Sequence, residues 1–277
     1  MDSRRGSGES ADDAAQPEGL GHVLRSTLSQ AWDYFHLVIA GSLLWAVSVA
    51  VPTLATAFMR DLRLIGPTFY LVAALTVGPL TVGLYGMSEA MMRRELPGLG
   101  ALFESLRRLY WRAVGLFLVE TFVLGGALFA AWFYQARFHF WLLQAVSLLW
   151  VYGALFWLMM SLYVPAFLVR EGGSVWSALR NGALLTLAHP GYTFLVLLQI
   201  AFVLVLIAVP VFARYNLALG ISFLLFFLFL PGFVPLLATN AMEDLLRKHR
   251  AAEGEEEGDA DEANRAPEPD RDDSRSG

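Results

Sequence analysis

Apolar residues occur along the chain in six long runs that are separated by short polar segments. The runs extend over residues 36–59, 65–92, 111–134, 139–169, 192–213 and 217–241. A helix needs about 20 mostly apolar residues to cross a hydrocarbon core roughly 30 Å thick, and each run is long enough. Backbone amides in lipid must find hydrogen bonds within their own segment, so the runs predict helices. The pattern therefore predicts an all-α, polytopic membrane protein with six transmembrane helices.

Basic residues are distributed unevenly among the gaps between these runs. Arginine resists translocation, so the gaps richest in arginine are expected on the cytoplasmic side. Of the 20 Lys+Arg, the first, third and fifth gaps hold only Arg60, Arg63, Arg137 and Arg214. This distribution predicts a protein of the plasma membrane whose amino and carboxyl termini are both cytoplasmic.

Three segments on the predicted cytoplasmic side carry an amphipathic helical pattern. Residues 99–112 place leucines on one helical face and arginines on the other, and residues 20–35 show a weaker version of this pattern. Residues 174–188 begin at Ser174, a suitable N-cap, and are followed by Pro190, which ends a helix. The pattern predicts interfacial helices whose apolar faces lie in the lipid boundary and whose arginines face anionic headgroups.

Polar side chains of two of these segments and of the end of the second run form a candidate interaction surface for a protein partner or for lipid. Glu89 lies four residues before Arg93 and is predicted to pair with it along the helix. The residues assigned to the surface are Arg93, Arg94, Arg107, Arg108, Arg180 and Asn181.

The two ends of the chain differ from its apolar middle. Residues 1–18 are small and polar, and residues 251–277 contain eleven acidic residues and three arginines. Low hydrophobicity combined with high charge favours disorder. We therefore predict a disordered N-terminal tail over 1–18, a six-helix membrane domain over 19–250 and a disordered acidic tail over 251–277.

The sequence offers little for catalysis. There is no cysteine, and the five histidines are dispersed without metal-ligand spacing. The only lysine, Lys248, follows the last apolar run, so the chain lacks a phosphate-binding loop. We accordingly expect no enzymatic activity, no cofactor, no metal and no nucleic-acid partner.

One carboxylate, Glu120, falls in the middle of an apolar run, whereas Glu89 lies near the end of one. It lies eight residues beyond Arg112, which is about 12 Å along a helix. Ionisable residues at such depth are costly and commonly face the bundle interior. One interpretation is a residue that couples the movement of a proton or substrate. The alternative is a protonated side chain that forms a hydrogen bond with a polar neighbour, for which the candidates are Gln144, Gln199 and Asn240.

Prolines occur in five of the six runs. Proline removes a backbone donor and bends a helix, and broken helices often line binding sites in transporters. The segment from Pro231 to Pro235 is the strongest candidate for an interruption, although a simple kink is the favoured interpretation.

Several short motifs resemble the YesL-type family, bacterial six-helix membrane proteins that form a domain of unknown function. The matching segments are LLW at 43–45, VPT at 51–53, TVGPLTVGLY at 76–85, FESLRR at 103–108, YVP at 163–165 and ALRNG at 178–182. The resemblance covers residues 20–248, and the acidic tail is additional. It implies an association with carbohydrate uptake, and hence a sugar ABC transporter as a partner, without implying catalytic residues.

Two functional hypotheses follow. The favoured one is a non-enzymatic membrane protein that is accessory to solute transport or regulates it, with carbohydrate as the solute that the resemblance implies. The alternative is a small-solute transporter or channel in which Glu120 is the intramembrane coupling residue.

Overall fold

The regular structure of the chain is helical throughout the described residues. The computed structural model describes residues 20–58, 65–93, 98–137, 140–212 and 227–264. Its helices are α1 (Leu20–Asp33), α2 (Phe35–Phe58), α3 (Ile65–Met92), α4 (Leu99–Arg137), α5 (Trp141–Ser161), α6 (Val164–Glu171), α7 (Val175–Ala188), α8 (Pro190–Phe212) and α9 (Leu230–Asn264). The predicted all-α class is confirmed for these residues.

Several of the helices are long and apolar enough to cross a membrane. Four candidate spans meet this test, within α2, α3, α4 and the α5–α6 pair. The helices α7 and α8, which are bent by 102° relative to each other, give a fifth if they are counted as one span. The chain is therefore a multi-pass helical membrane protein. Residues 217–226 of the sixth predicted run lie outside the described residues.

The helices α3 and α4 approach each other closely through glycines on α3. A Cβ atom on Gly78 would lie 2.8 Å from the Phe117 Cβ, and one on Gly83 would lie 3.2 Å from the Leu102 carbonyl oxygen. A Cβ atom on Gly86 would overlap the side chain of Ser105. Small residues let helix backbones approach closely, and dispersion contacts then hold the pair together in lipid. We call this contact the glycine seam.

The segment predicted as an interfacial helix over 99–112 belongs to a longer helix in the structure. It continues without interruption into the third span, so that α4 is a single helix of 39 residues. On its predicted apolar face, Leu102 and Leu109 are buried, whereas Phe103 is 50% exposed. Gly83 of α3 gives Leu102 a close protein partner, and the interfacial position of the segment stays a prediction.

The fourth predicted span is broken near its basic end. Helix α5 ends at Ser161, and α6 begins at Val164 with Pro165 in its first turn. Proline cannot donate to the carbonyl four residues earlier, which accounts for a break directly before it. Helix α6 then ends at Glu171, and the following Gly172 has a φ of 59°, the left-handed conformation typical of a helix C-terminus.

The prediction for residues 174–188 is confirmed as a separate helix. The Ser174 hydroxyl accepts a hydrogen bond from the Ser177 N–H and so caps α7. Helix α7 ends at Ala188, and the chain turns through His189 into α8. Helix α1 likewise confirms that residues 20–33 are helical.

The predicted interruption at Pro231–Pro235 is confined to the start of a helix. Pro231 lies in the first turn of α9, where its missing N–H breaks no helical hydrogen bond. The neighbouring Gly232 N–H instead donates to the Ser42 hydroxyl on α2 at 2.9 Å. Pro235 lies inside α9, so the helix continues past it.

The chain divides into a unit of residues 18–242 and a second unit that contains residues 1–17 and 243–277. Within the second unit, Asp244 and Lys248 form an ion pair at 2.8 Å along α9. Residues 251–264, which the sequence predicted to be disordered, continue this helix. Alanine and glutamate favour helix, and extending an existing helix requires no new nucleus. The other tail residues lie outside the described part.

Candidate functional site

Two arginines of α4 bind the C-terminal end of α6. The Arg108 Nη2 atom donates to the Val169 carbonyl oxygen at 3.1 Å. One turn further along α4, the Arg112 Nη1 atom donates to the Gly172 carbonyl oxygen. The last carbonyls of a helix lack intrahelical donors and carry a partial negative charge, so cationic side chains stabilise them. These bonds attach the end of α6 to the first turns of α4.

A polar cleft lies where α3 ends, α4 begins and α6 ends. Its volume is about 220 Å³, and its charged lining comprises Glu89, Arg93, Glu104, Arg108 and Arg170. The uncharged part of its wall includes Gly86 and Ser105, the pair at the end of the glycine seam. We call this space the arginine cleft.

Glu89 is the most deeply placed charged group of the arginine cleft. Its Oε1 atom accepts hydrogen bonds from Arg93 Nε at 2.9 Å and from Arg93 Nη2 at 2.8 Å, which confirms the predicted pair. The pair is not an ordinary surface pair, because only 8% of Glu89 is exposed. The other carboxylate oxygen, Oε2, is buried and has no hydrogen-bond partner among the described residues.

The predicted interaction surface is only partly brought together. Arg93 and Arg108 line the arginine cleft, whereas Arg107 is exposed and does not line it. Arg180 is exposed on α7, and the Asn181 side-chain amide donates to Glu171 Oε1 at 2.7 Å. Arg94 lies outside the described residues.

Helix α7 presents an exposed apolar stripe that surrounds Arg180. The exposed fractions are 76% for Trp176, 54% for Leu184 and 64% for Leu187. The opposite face of α7 is buried, and a Cβ atom on its Gly182 would lie 2.8 Å from a methyl group of Val164 in α6. One face of α7 is thus held by α6, and the other is available to lipid or to another protein.

A second polar cluster surrounds Glu120 inside the helix bundle. The Oε1 atom of Glu120 is buried and has no hydrogen-bond partner among the described residues. The Tyr85 hydroxyl, on α3, lies within electrostatic range of the Glu120 carboxyl and of Tyr163. Tyr85 also donates to the Leu162 carbonyl oxygen at 2.9 Å, between the end of α5 and the start of α6. The cluster therefore adjoins the broken helix.

Tyr163 completes this cluster at the break. It is fully buried, and its hydroxyl lies beside the Thr193 side chain of α8. The Thr193 hydroxyl donates its own proton to the His189 carbonyl oxygen at 3.1 Å. The Tyr163 hydroxyl itself makes no hydrogen bond within the described part of the chain. Two polar atoms inside the bundle, on Glu120 and Tyr163, thus lack partners there.

The polar neighbours predicted for Glu120 lie elsewhere. The Asn240 amide donates to Thr27 Oγ1 at 3.1 Å and to Gln30 Oε1 at 3.0 Å, so it joins α9 to α1. The Gln144 carbonyl oxygen accepts the hydroxyl of Ser147 in the next turn of α5. Gln199 is half-buried on α8. None of the three forms a hydrogen bond with Glu120 in the described structure.

The sequence interpretation overlooked several residues of both clusters. Tyr85 and Tyr163 were noticed only within short motifs, yet both lie seven or eight residues from an arginine, at a depth similar to that of Glu120. That shared distance from an arginine is a signal in the sequence that the two tyrosines and Glu120 lie at a similar depth. Glu104 and Arg170 carry no such signal in the sequence, because only packing places them beside Glu89.

Comparisons with known proteins add no further assignment. No protein-family model matches the chain, and no curated protein or solved structure is significantly similar to it.

Proposed function

We propose that the protein spans a bacterial plasma membrane six times, with both termini and the arginine cleft on the cytoplasmic side. The support is the agreement of two features. Arginine is concentrated in alternate gaps of the sequence, and the basic ends of α3, α4 and α6 meet in one cleft. Cytoplasmic placement of these arginines follows the general bias of membrane proteins.

Cysteine labelling in this naturally cysteine-free chain tests the threading. Arg107→Cys and Arg137→Cys change exposed residues at opposite ends of α4. In intact spheroplasts, a membrane-impermeant maleimide should label the Arg137→Cys protein and leave the Arg107→Cys protein unlabelled. Permeabilised cells should show labelling of both. Labelling of Arg107→Cys in intact spheroplasts would contradict the orientation.

The protein's proposed role is non-enzymatic: it is accessory to solute transport or regulates it. The observation that carries this proposal is the exposed stripe of α7, formed by Trp176, Leu184 and Leu187 around Arg180. Aromatic residues and arginine contribute most strongly to protein interfaces. Because the resemblance to the YesL-type family implies a link to carbohydrate uptake, the proposed partner is a sugar ABC transporter.

The geometry of α7 suits contact with a neighbouring membrane protein. The helix is bent by 102° from α8, so it leaves the direction of that span instead of extending it. Its buried face is fixed to α6, and its N-terminus is capped by Ser174. A partner would therefore meet a preformed helix, which lowers the entropic cost of binding.

Site-specific photo-crosslinking tests this role. A benzophenone amino acid at position 176 replaces an exposed aromatic residue of α7, and the same replacement of Phe122 is the matched control, because Phe122 is 82% exposed. We expect the position-176 probe to form an adduct with a permease subunit, identified by mass spectrometry. The position-122 probe should react with lipid only.

Adding Arg180→Glu should reduce the protein adduct at position 176, because the substitution places a carboxylate in the centre of the stripe. Only lipid adducts at position 176, or equal protein adducts at positions 176 and 122, would contradict the accessory role.

A second candidate function is supported by the cluster around Glu120. A buried carboxyl oxygen without a partner is costly, and such groups in membrane helices mark sites of ion or substrate movement. The cluster also adjoins the separation between α5 and α6, and broken helices form binding sites in transporters. This candidate is a small-solute transporter in which Glu120 couples transport.

Glu120→Gln separates a coupling role from a structural one. The glutamine amide has nearly the same shape as the glutamate carboxyl group. The thermal unfolding midpoint of the Glu120→Gln protein in detergent should therefore not fall. If Glu120 couples transport, uptake of labelled sugars into proteoliposomes should decrease at least about tenfold, equivalent to about 1.4 kcal/mol in the barrier. Asp33→Asn, at an exposed carboxylate of α1, is the control. Unchanged uptake by the Glu120→Gln protein would contradict coupling there.

A further inference from the structure

The arginine cleft contains charges of both signs, and this sets it apart from a simple anion site. Three guanidinium groups, of Arg93, Arg108 and Arg170, share its wall with the carboxylates of Glu89 and Glu104. Arginine is suited to binding a phosphate group through several N–H donors. A carboxylate at neutral pH can only accept hydrogen bonds. The lining therefore favours a ligand that carries an anion and a hydrogen-bonding cation together.

At the carboxylate end of the cleft, one buried acceptor atom lacks a hydrogen-bond donor. Glu89 Oε1 is occupied by Arg93, whereas Oε2 is buried and has no partner in the described structure. A buried acceptor left without a donor is destabilising, because it has lost its hydrogen bonds to water without gaining one from the protein. An ammonium group placed against Oε2 would remove that cost, and the exposed Glu104 carboxylate lines the same space.

The position and size of the cleft suit a lipid headgroup. It lies at the end of α3, the beginning of α4 and the end of α6, and these are the ends of three candidate membrane spans. Its volume of about 220 Å³ is several times the roughly 30 Å³ that one water molecule occupies in the liquid. A phosphate joined to a short amine fits these dimensions, and the lipid tails can remain in the bilayer.

We propose that the arginine cleft binds the headgroup of phosphatidylethanolamine, with its phosphate on the arginines and its ammonium on Glu89 and Glu104. The primary ammonium supplies N–H donors to both carboxylates. The trimethylammonium group of phosphatidylcholine has no N–H, and phosphatidylglycerol has no cation. Discrimination among the three headgroups is therefore the signature of the site. The proposed lipid binding does not depend on whether the protein serves a transporter.

Native mass spectrometry of the full-length protein can measure this discrimination. The protein would be titrated with phosphatidylethanolamine, phosphatidylcholine and phosphatidylglycerol that carry the same acyl chains. We expect phosphatidylethanolamine to bind about tenfold more tightly than phosphatidylcholine, because only its ammonium can donate charge-assisted hydrogen bonds to the two carboxylates. Equal binding of these two lipids, or strongest binding of phosphatidylglycerol, would overturn the proposal.

Two variants connect the preference to the carboxylates. Glu89→Gln tests the central residue but also weakens its pair with Arg93, so it can impair folding. Glu104→Gln changes an exposed residue and leaves the Glu89–Arg93 pair intact. The preference should fall from about tenfold to about threefold in Glu104→Gln, a loss of roughly 0.7 kcal/mol, because Glu89 can still accept the ammonium, and it should be retained in the control Asp33→Asn. A full preference in Glu104→Gln would overturn the proposed contact.

A soluble ligand with the same chemistry is distinguished by competition. Free phosphoethanolamine at millimolar concentration should not displace the lipid, because the acyl chains add apolar contacts that the soluble molecule lacks. Displacement at micromolar concentration would show that the cleft serves a soluble phosphorylated amine, and it would overturn the assignment to a lipid.

Discussion

The close approach of α3 to α4 is the contact on which the other features depend. Without a hydrophobic driving force between helices in lipid, association rests on packing that small residues permit. Gly78, Gly83 and Gly86 provide this packing along α3. Larger side chains at these positions would force the two backbones apart, because Phe117, Leu102 and Ser105 already fill the space opposite. The glycine seam thus sets the distance between the two helices that carry most of the polar groups.

Both candidate sites lie along this seam. At its end, Gly86 and Ser105 form part of the wall of the arginine cleft, and the following turns of α4 supply the arginines that hold α6. Deeper in the bundle, Tyr85 of α3 lies near Glu120 of α4 and donates to the Leu162 carbonyl oxygen at the separation between α5 and α6. The same contact therefore positions a surface site and an internal one, and each contains a carboxylate oxygen without a partner in the described residues.

Sequence periodicity predicted individual helices well, because the length of an apolar run follows directly from bilayer thickness. The bounds of α3 and the capping of α7 by Ser174 illustrate this. It did not predict the burial of Leu102 and Leu109, since an amphipathic pattern does not reveal whether its apolar face meets lipid or another helix. It also missed the arginine cleft, in which Glu89 and Arg170, distant in sequence, become neighbours only through packing. The periodicity of one helix does not reveal which other helix packs against it.

The most direct test of the glycine seam is the thermal unfolding of Gly86→Ala in detergent. The added methyl group would overlap Ser105, and overpacking of this kind costs about 1–3 kcal/mol. Gly115→Ala on α4 is the matched control, because no atom lies within 4 Å of its added Cβ. The account predicts that Gly86→Ala lowers the unfolding midpoint, that Ser105→Gly in the same protein restores it, and that Gly115→Ala does not lower it. Equal midpoints for the two alanine variants would contradict the glycine seam.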